Sequence, residues 1–247
     1  MTLYEGLLKR CHLFLHKREL AMPETKAIVS FSFDDFPQSA YRTGGEILTH
    51  YGVHGTYYTS LGLMDATNDL GRHFAAQDLH DLLADGHELA SHSFSHADCR
   101  SIPLKMYEED VMRNQAEIDK LLPGVSLQNF AYPSGAVTLA AKRAMGQHFV
   151  SCRGIYGGIN ARRADLDLLR ANSFCRRDIN LHDAHRLIAT NAGVKGWLIF
   201  FTHDVCDHPS PWGCTPQDFE AVVKYAAESS SEIMTIHQAL TWIQQGA

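Results

Sequence analysis

In the segment AIVSFSFDDFP, residues 27–37, an apolar run ends in two adjacent carboxylates. The β-branched and aromatic content of this run predicts a buried central strand over Ala27–Phe33. Two charged groups directly after such a strand are costly unless they serve chemistry. Taken alone, Asp34 and Asp35 are explained most simply as an Asx turn that caps a helix ahead of Pro37.

Around this stretch, short β-rich runs alternate with segments of helical character. We predict strands over Ala27–Phe33, Gly55–Ser60, Glu88–Ser91, Asn129–Tyr132, Phe149–Arg153, Asn172–Cys175, Trp197–His203 and Ile233–Thr235. We predict helices over Gln38–Tyr51, Gln77–Ala84, Leu104–Leu122, Thr138–Gln147, His182–Ala192 and Thr215–Glu228. Strand followed by helix, repeated about seven times, implies parallel strands in either a barrel or a doubly wound sheet.

The polar residues at the strand ends favour the barrel. Such residues end or directly follow four different predicted strands, namely Asp34–Asp35, His92, Tyr132–Pro133 and His203–Asp204. A barrel assembles its active site from loops at the carboxyl ends of its strands, whereas an open sheet would spread these groups along an edge. We therefore predict an α/β barrel with its site at this end.

The bulk composition excludes some classes of partner. The chain has 247 residues, with 22 Lys and Arg against 28 Asp and Glu, and this net charge of −6 argues against nucleic acid as a partner. Charged residues interrupt Met1–Leu20, so this segment is predicted to be an amphipathic helix, not a signal peptide. We expect a single domain over residues 1–247 with residues 1–20 as a helical extension, no membrane span, reduced cysteines and a cytoplasmic location. A homo-oligomer is left open.

A second segment, HSFSH at residues 92–96, carries two histidines with i, i+4 spacing. On a helical turn this spacing sets the rings of His92 and His96 on one face, within reach of one ion. The predicted strand Glu88–Ser91 directly precedes this pair, which makes His92 and His96 stronger candidates for metal ligands. His50 and His54 have the same spacing, which we regard as incidental. Joined with the aspartate pair, these imidazoles predict a metal site with open positions and a spare carboxylate, an arrangement that indicates hydrolysis.

The chain resembles the polysaccharide deacetylase family, the carbohydrate esterases related to chitooligosaccharide and peptidoglycan deacetylases. The resemblance rests on four segments, SFDD at 32–35, HSFSH at 92–96, FAYPSG at 130–135 and LIFFTH at 198–203. It implies a distorted (β/α) barrel of about seven strands. It also implies that Asp35, His92 and His96 bind a divalent metal, zinc by default, with Co²⁺, Ni²⁺, Mn²⁺ and Fe²⁺ left open.

The resemblance further implies the roles of the remaining motif residues. Asp34 would remove a proton from the attacking water, and His203 would protonate the leaving amine, because an amine anion is a very poor leaving group. A backbone N–H of one loop would stabilise the oxyanion, the loop being Tyr132, Pro133, Ser134 and Gly135. The structural alternative for His203 is a strand-end residue paired with Asp204.

Two supporting positions depart from the family pattern. Ala131 stands where many members carry an arginine that tethers the catalytic aspartate. Arg153 is our candidate replacement, and Arg176 and Arg177 are weaker alternatives. The acid that orients the catalytic histidine is not identifiable, because SCRG at residues 151–154 replaces a segment usually built round aspartate.

The segment 204–216 is rich in proline and is predicted to form a rim loop. Trp212 within it would either stack on a sugar face or pack the loop against the barrel, and the sequence does not separate these roles. Cys206 and Cys214 flank the same loop, and a cytoplasmic setting argues against a bridge between them.

The function predicted from these residues is a metal-dependent N-deacetylase. Its substrate would be an N-acetylated carbohydrate, and without an export signal we expect an intracellular intermediate of surface polysaccharide synthesis. Hydrolysis of another small non-peptide C–N bond is one alternative. A barrel that has lost catalysis and binds sugar is the other.

Overall fold

Strands and helices alternate along the chain in this computed structural model, which describes residues 15–246. The strands are β1 (Glu19–Ala21), β2 (Ala27–Asp34), β3 (Thr56–Thr59), β4 (Thr67–Asn68), β5 (Gly71–Arg72), β6 (Glu88–Ser91), β7 (Asn129–Ala131), β8 (Ser151–Arg153), β9 (Arg163–Asp165), β10 (Asn172–Ser173), β11 (Trp197–Thr202) and β12 (Ser231–Ile233). The α-helices are α1 (Glu46–His50), α2 (Ala76–Ala84), α3 (Leu104–Leu121), α4 (Leu139–His148), α5 (Leu181–Val194), α6 (Pro216–Glu228) and α7 (Ile236–Gln245). A π-helical turn, Ala40–Gly45, leads into α1, and 3₁₀ turns occupy Leu61–Leu63 and Pro133–Gly135.

Seven parallel strands form one curled sheet in the order β10–β11–β2–β3–β6–β7–β8. Strand β12 adds to this sheet by pairing with the first residues of β2. An irregular segment between β9 and β10 runs beside the edge strand β8, where Leu169 N–H donates to the Cys152 carbonyl at 2.8 Å and Cys152 N–H donates to the Leu166 carbonyl at 2.7 Å. The sheet confirms the predicted distorted (β/α) barrel.

Strand β2 lies at the centre of the sheet, and all eight of its residues are buried. Successive side chains of a strand point to opposite faces. Val29, Phe31 and Phe33 pack in the cluster that contains α5 and α6, whereas Ile28 belongs to the cluster inside the barrel. Because Asp34 shares the register of Ile28, its carboxylate emerges on the interior side at the carboxyl end of the strand.

The N-terminal segment differs from its prediction. We predicted a helical extension over residues 1–20, but Glu19–Ala21 forms β1, which pairs antiparallel with β9. Arg18 anchors this segment because its Nε donates to Asp167 Oδ1 at 2.5 Å. The rest of the predicted helix, residues 1–14, lies outside the described residues.

The C-terminal region also differs. The strand predicted over Ile233–Thr235 ends at Ile233, because Thr235 begins the unpredicted helix α7. Thr235 Oγ1 accepts from Gln238 N–H at 3.2 Å while Gln238 Oε1 accepts from Thr235 N–H at 3.0 Å. This reciprocal capping box satisfies N-terminal donors of the helix and sets its start.

Candidate metal centre and active site

Asp35, His92 and His96 come together at the carboxyl ends of β2 and β6, and we call them the ligand trio. Asp35 Oδ1 lies 3.4 Å from His96 Nε2 and 3.7 Å from His92 Nε2. The three candidate ligand atoms all lie within 4.8 Å of one another. These separations suit one ion, since zinc stands about 2.0–2.2 Å from each nitrogen or oxygen ligand.

The donor set of the trio fits a cation. Asp35 Oδ1 is buried and has no hydrogen-bond partner among residues 15–246, a costly state for a carboxylate oxygen. His92 Nδ1 lies 2.8 Å from the Ala131 carbonyl, which can only accept, so Nδ1 carries the hydrogen and Nε2 presents a lone pair. Burial lowers the pKa of His92 to about 4, against the opposing effect of nearby carboxylates, so the ring stays neutral as a ligand must.

The backbone around the trio departs from regular structure. Asp35 has a φ of 63° and Phe36 a φ of 53°, so β2 breaks sharply and the two adjacent carboxylates reach the same cleft. The expected helical turn for His92 and His96 is wrong. Residues 92–98 form a loop with φ of 61° at Ser93 and 56° at His96.

A carboxylate from α3 holds this loop. Asp110 Oδ2 accepts from the N–H groups of Phe94 and Ser95, each at 3.1 Å, and Ser93 Oγ accepts from Ala97 N–H at 3.1 Å. These bonds replace the helical hydrogen bonds that the i, i+4 spacing predicted. The shared face of the two imidazoles therefore results from loop geometry.

Asp34 is ion-paired with Arg153 inside the barrel. The Arg153 guanidinium donates to Asp34 Oδ1 and, at 3.0 Å, to the Gly154 carbonyl, with its side chain only 1% exposed. Its Cζ lies 4.7 Å from the ring centre of Tyr58 and 4.8 Å from that of Phe201. Burial alone raises the pKa of Asp34, but Arg153, followed by the nearby histidines, outweighs burial and holds this pKa below its ordinary value. Asp34 is therefore a carboxylate at neutral pH.

The register of the sheet explains how Arg153 reaches this place. Arg153 on β8 pairs directly with Ala131 on β7, so their side chains emerge on the same face. The methyl group of Ala131 leaves room above β7 for the longer side chain. Of the other candidates, Arg177 stacks on Trp212 with its Cζ 4.9 Å from the ring centre, while Arg176 is exposed and its N–H donates to the Gly213 carbonyl at 3.1 Å.

His203 follows β11 and faces the trio from the opposite side of the cleft. Its Nε2 lies 4.0 Å from Asp35 Oδ2. Its Nδ1 lies 3.2 Å from the Trp212 carbonyl, so Nδ1 is the donor and a backbone oxygen orients the ring in place of an acid. Asp204 does not pair with His203. It is buried and accepts from Ser210 N–H at 2.7 Å and Ser210 Oγ at 2.5 Å, which orders the rim loop.

In the segment 130–135, the first residues lie in the core and the last two line the cleft. Tyr132 and Pro133 are buried, and the Tyr132 hydroxyl donates to the Asp167 carbonyl at 3.2 Å, so the Tyr132 side chain belongs to the core. Ser134 and Gly135 line the cleft. Ser134 has a φ of 55°, which turns the chain toward the trio.

All these groups face one cleft of about 390 Å³. Its lining comprises Asp34, Asp35, Asn68, Asp69, Leu70, His92, His96, Ser134, Gly135, Ile155, Ser173, Asp178, Phe201, His203 and Trp212. The wall at residues 68–70 was not predicted and comes from the β4–β5 hairpin. Trp212 is 45% exposed at the rim, so its indole remains accessible while Arg177 covers part of it. Cys206 and Cys214 are free thiols.

The fold and this cluster define a (β/α)-barrel protein with a candidate carboxylate–imidazole metal centre. The sequence model of the polysaccharide deacetylase family matches residues 21–151, which is 131 of the 247 residues. The chain belongs to the polysaccharide deacetylase family. No curated protein matches its sequence.

Several solved structures have a similar fold. The Xyl-CE4 domain of a multidomain xylanase from the hindgut metagenome of Trinervitermes trinervoides is 19% identical, with a TM-score of 0.60 over 90% of this chain and 93% of that chain. The peptidoglycan deacetylase PdaC from Bacillus subtilis is 14% identical, with a TM-score of 0.57 over 91% and 94%. A family 4 acetyl xylan esterase from Clostridium thermocellum is 18% identical, with a TM-score of 0.61 over 87% and 91%. At these identities the likeness shows the fold alone.

Within residues 15–246, none of the helices combines the length and the apolar character that crossing a bilayer requires.

Proposed function

We propose that this protein is a metal-dependent hydrolase that removes an N-acetyl group from an amino sugar or sugar conjugate. The observation that carries the proposal is the position of the buried Asp34 carboxylate. It is ion-paired with Arg153, is next to Asp35 in the sequence, and shares one cleft with the ligand trio. Membership of the polysaccharide deacetylase family supports an acetylated carbohydrate as the class of substrate.

The ligand trio would hold the divalent ion through Asp35 Oδ1 and the two Nε2 atoms. One carboxylate and two imidazoles suit zinc, and also Co²⁺, Ni²⁺, Mn²⁺ and Fe²⁺. The Clostridium thermocellum esterase was solved with a cobalt ion, which supports a divalent metal in this fold. When bound, such an ion supplies Lewis-acid polarisation of the acetyl carbonyl and of a water molecule.

Asp34 accepts the proton of the attacking water. A general base must be ionised before it can act, and the Arg153 ion pair keeps the Asp34 carboxylate in that form. The same ion pair limits rotation of the carboxylate, since Arg153 is itself fixed by Gly154 and by the rings above and below it.

The backbone N–H of Ser134 stabilises the developing oxyanion. Tyr132 N–H already donates to the Arg153 carbonyl at 3.1 Å, Gly135 N–H donates to the Tyr132 carbonyl at 2.9 Å, and Pro133 has no N–H. Ser134 carries the remaining N–H of the loop, and Ser134 lines the cleft. A fixed donor of this kind needs no reorganisation during the reaction.

His203 protonates the leaving nitrogen from Nε2. Its Nδ1–H is committed to the Trp212 carbonyl, which fixes the ring with Nε2 toward the cleft. Expulsion of an amine requires such an acid, because an unprotonated amine anion is a very poor leaving group. Trp212, exposed on the same rim, offers an aromatic face to a sugar ring.

The test combines metal analysis with acetate release from N-acetylated chitooligosaccharides, an N-acetylated monosaccharide and an O-acetylated xylooligosaccharide. Wild type should contain about one divalent ion per chain and release acetate from at least one N-acetyl substrate. Asp34→Asn should keep the ion and lose roughly 10²–10⁴-fold in kcat, because it removes the base while keeping the ligand trio. The control Asp207→Asn alters an exposed carboxylate on the rim loop and should change neither quantity.

Metal binding without acetate release from any N-acetyl substrate would contradict the deacetylase proposal. Formation of product from another small amide under the same conditions would favour the second C–N hydrolase reading, and sugar binding without turnover would favour a barrel that has lost catalysis. A cytoplasmic location and an intracellular polysaccharide intermediate as substrate stay predictions from the sequence.

A further inference from the structure

His73 is a fully buried histidine that touches the backbone of a candidate metal ligand. It follows β5, and its Nδ1 lies 3.1 Å from the carbonyl oxygen of Asp35. A carbonyl oxygen can only accept, so Nδ1 carries the hydrogen and donates it. The other ring nitrogen, Nε2, is buried without a hydrogen-bond partner in the described part of the chain.

The backbone that His73 contacts is strained. Asp35 and Phe36 both adopt positive φ, 63° and 53°, although neither is glycine. Left-handed conformations of such residues cost free energy and persist only where the surroundings impose them. The strand break that aims Asp35 at His92 and His96 therefore needs external restraint.

The segment that carries His73 supplies that restraint. His73 forms a β-bridge with Pro37, and Phe74 N–H donates to the Phe36 carbonyl at 3.3 Å. The segment is itself anchored by His73 N–H, which donates to the Ala66 carbonyl at 2.9 Å. These backbone contacts hold residues 36 and 37, and the His73 side chain adds the contact to residue 35.

The chemistry of the ring argues that the Nδ1–H bond is the reason for a histidine here. A buried polar atom without a partner, such as Nε2, destabilises the fold because it loses its hydration. A phenylalanine has a flat ring of similar shape and no polar atom that burial would leave unpaired. Packing alone therefore does not explain His73.

We propose that His73 is a positioning residue that preforms the metal site. Its Nδ1–H fixes the carbonyl of Asp35, and so holds Asp35 Oδ1 toward the Nε2 atoms of His92 and His96. The inference rests on the proposed function insofar as the ligand trio binds the metal, and it does not depend on which substrate is cleaved.

Metal affinity of the apoprotein tests this role directly. Zn²⁺ competition with a chromogenic chelator, together with the visible absorption of added Co²⁺, is measured for wild type, His73→Phe and His73→Asn. His73→Phe should weaken Zn²⁺ binding about 10–100-fold, the usual effect of removing a partner that orients a metal ligand. His73→Asn should bind Zn²⁺ nearly as tightly as wild type, because its Nδ2–H reaches the place of the histidine Nδ1–H.

Thermal unfolding of the metal-free proteins separates positioning from simple stability. The melting temperature of His73→Phe should be at least as high as that of His73→Asn. A weaker Zn²⁺ affinity of His73→Phe would then not result from a loss of stability. His73→Leu replaces His73→Phe in this comparison if the phenylalanine variant does not fold.

Equal Zn²⁺ affinity of wild type and the apolar variants would overturn the inference, as would equal weakening in His73→Asn and the apolar variants. A wild type that binds no metal overturns this inference and the metal-dependent function together. Tight Zn²⁺ binding without acetate release affects only the proposed function.

Discussion

The carboxylates Glu88 and Asp35, at opposite ends of the sheet, differ in their hydrogen bonding. At the amino ends, Glu88 of β6 accepts from Thr56 Oγ1 at 2.8 Å, His237 N–H at 2.9 Å and Asn129 Nδ2 at 2.6 Å, which ties β3, β7 and α7 together. At the carboxyl ends, Asp35 keeps a buried oxygen without a partner within residues 15–246.

Positive φ at non-glycine residues is frequent at the carboxyl ends of the strands. The sequence breaks β2 at Asp35 and Phe36 with positive φ, and Ser93, His96 and Ser134 near the cleft share this conformation. In barrels of this kind the amino end serves stability and the carboxyl end serves chemistry. Substitutions at the amino end should therefore change stability, and substitutions at the carboxyl end should change catalysis.

The largest expected effect is on the rate at the carboxyl end. His203→Ala should lower kcat for an N-acetyl sugar by roughly 10²–10⁴-fold, because the leaving amine loses its acid. An aryl acetate with an acidic phenol as leaving group needs no such proton, so its hydrolysis should fall far less. The measurement is kcat of wild type and His203→Ala on each of the two substrates. His208→Ala, which alters an exposed histidine of the same loop, is the control. Equal losses on both substrates would contradict the role of His203 as an acid.

Arg153→Met should give the largest loss of stability. It leaves the Asp34 carboxylate buried without its partner, a change that typically costs about 3–5 kcal/mol. Urea unfolding should show this loss, and the double variant Asp34→Asn/Arg153→Met should recover much of it by removing the stranded charge. Arg163→Met, which breaks an exposed ion pair with Glu19, should cost about 0–1 kcal/mol. A double variant as unstable as Arg153→Met would mean that the lost pairing is not the cause.

Acid should weaken the amino end through His87. Burial, and then the neighbouring His54, lower the pKa of His87 from 6.5 to about 4, and its Nδ1 accepts from Gly55 N–H at 3.0 Å. Between these pH values the unfolded chain binds a proton that the folded protein does not, so stability falls as pH decreases, by about 3 kcal/mol over the window.

His87→Asn keeps an acceptor near Gly55 N–H and removes the titration, so its unfolding free energy should depend less on pH between 6.5 and 4 than that of wild type. The free energy of urea unfolding at several pH values provides the measurement. His80→Asn, at an exposed position of α2, should follow the wild-type slope. An unchanged slope in His87→Asn would assign the acid sensitivity to other groups.

The smallest expected effect is at Glu88. Glu88→Gln replaces one accepting oxygen by a donor in a network that offers three donors, which should cost about 1–2 kcal/mol. Activity per folded molecule should not change, because the network lies at the end of the barrel away from the cleft. Glu228→Gln, at an exposed position of α6, is the matched control and should stay within about 0.5 kcal/mol of wild type. A fall in kcat for folded Glu88→Gln would break the division between the two ends.

The central part of the fold was predictable because its signals are local. The apolar run before Asp34 and the regular alternation of strand and helix define the parallel sheet, and polar residues at several strand ends indicate where a site forms. The same reasoning predicted that His203 and Arg153 lie at the cleft, because His203 directly follows a strand and Arg153 ends one.

The remaining features depend on contacts that spacing does not encode. The loop at His92–His96 is held by Asp110, which is 16 residues beyond Phe94 and carries no mark of that role. The hairpin β4–β5 has strands of two residues, too short for an alternating pattern, and its turn residues Asn68, Asp69 and Gly71 are equally common in other loops. His73 gave none, because a single histidine beside a phenylalanine is ordinary core composition.

The direct pairing of Ala131 with Arg153 has a consequence for how such sequences are compared. An arginine on either of these two neighbouring strands can place its guanidinium beside Asp34. The requirement for a positive charge therefore applies to the pair of positions 131 and 153 together. A comparison that scores each alignment column separately would count Ala131 as a lost catalytic support. We expect the two positions to vary together among relatives, with arginine on one strand accompanied by a small residue on the other.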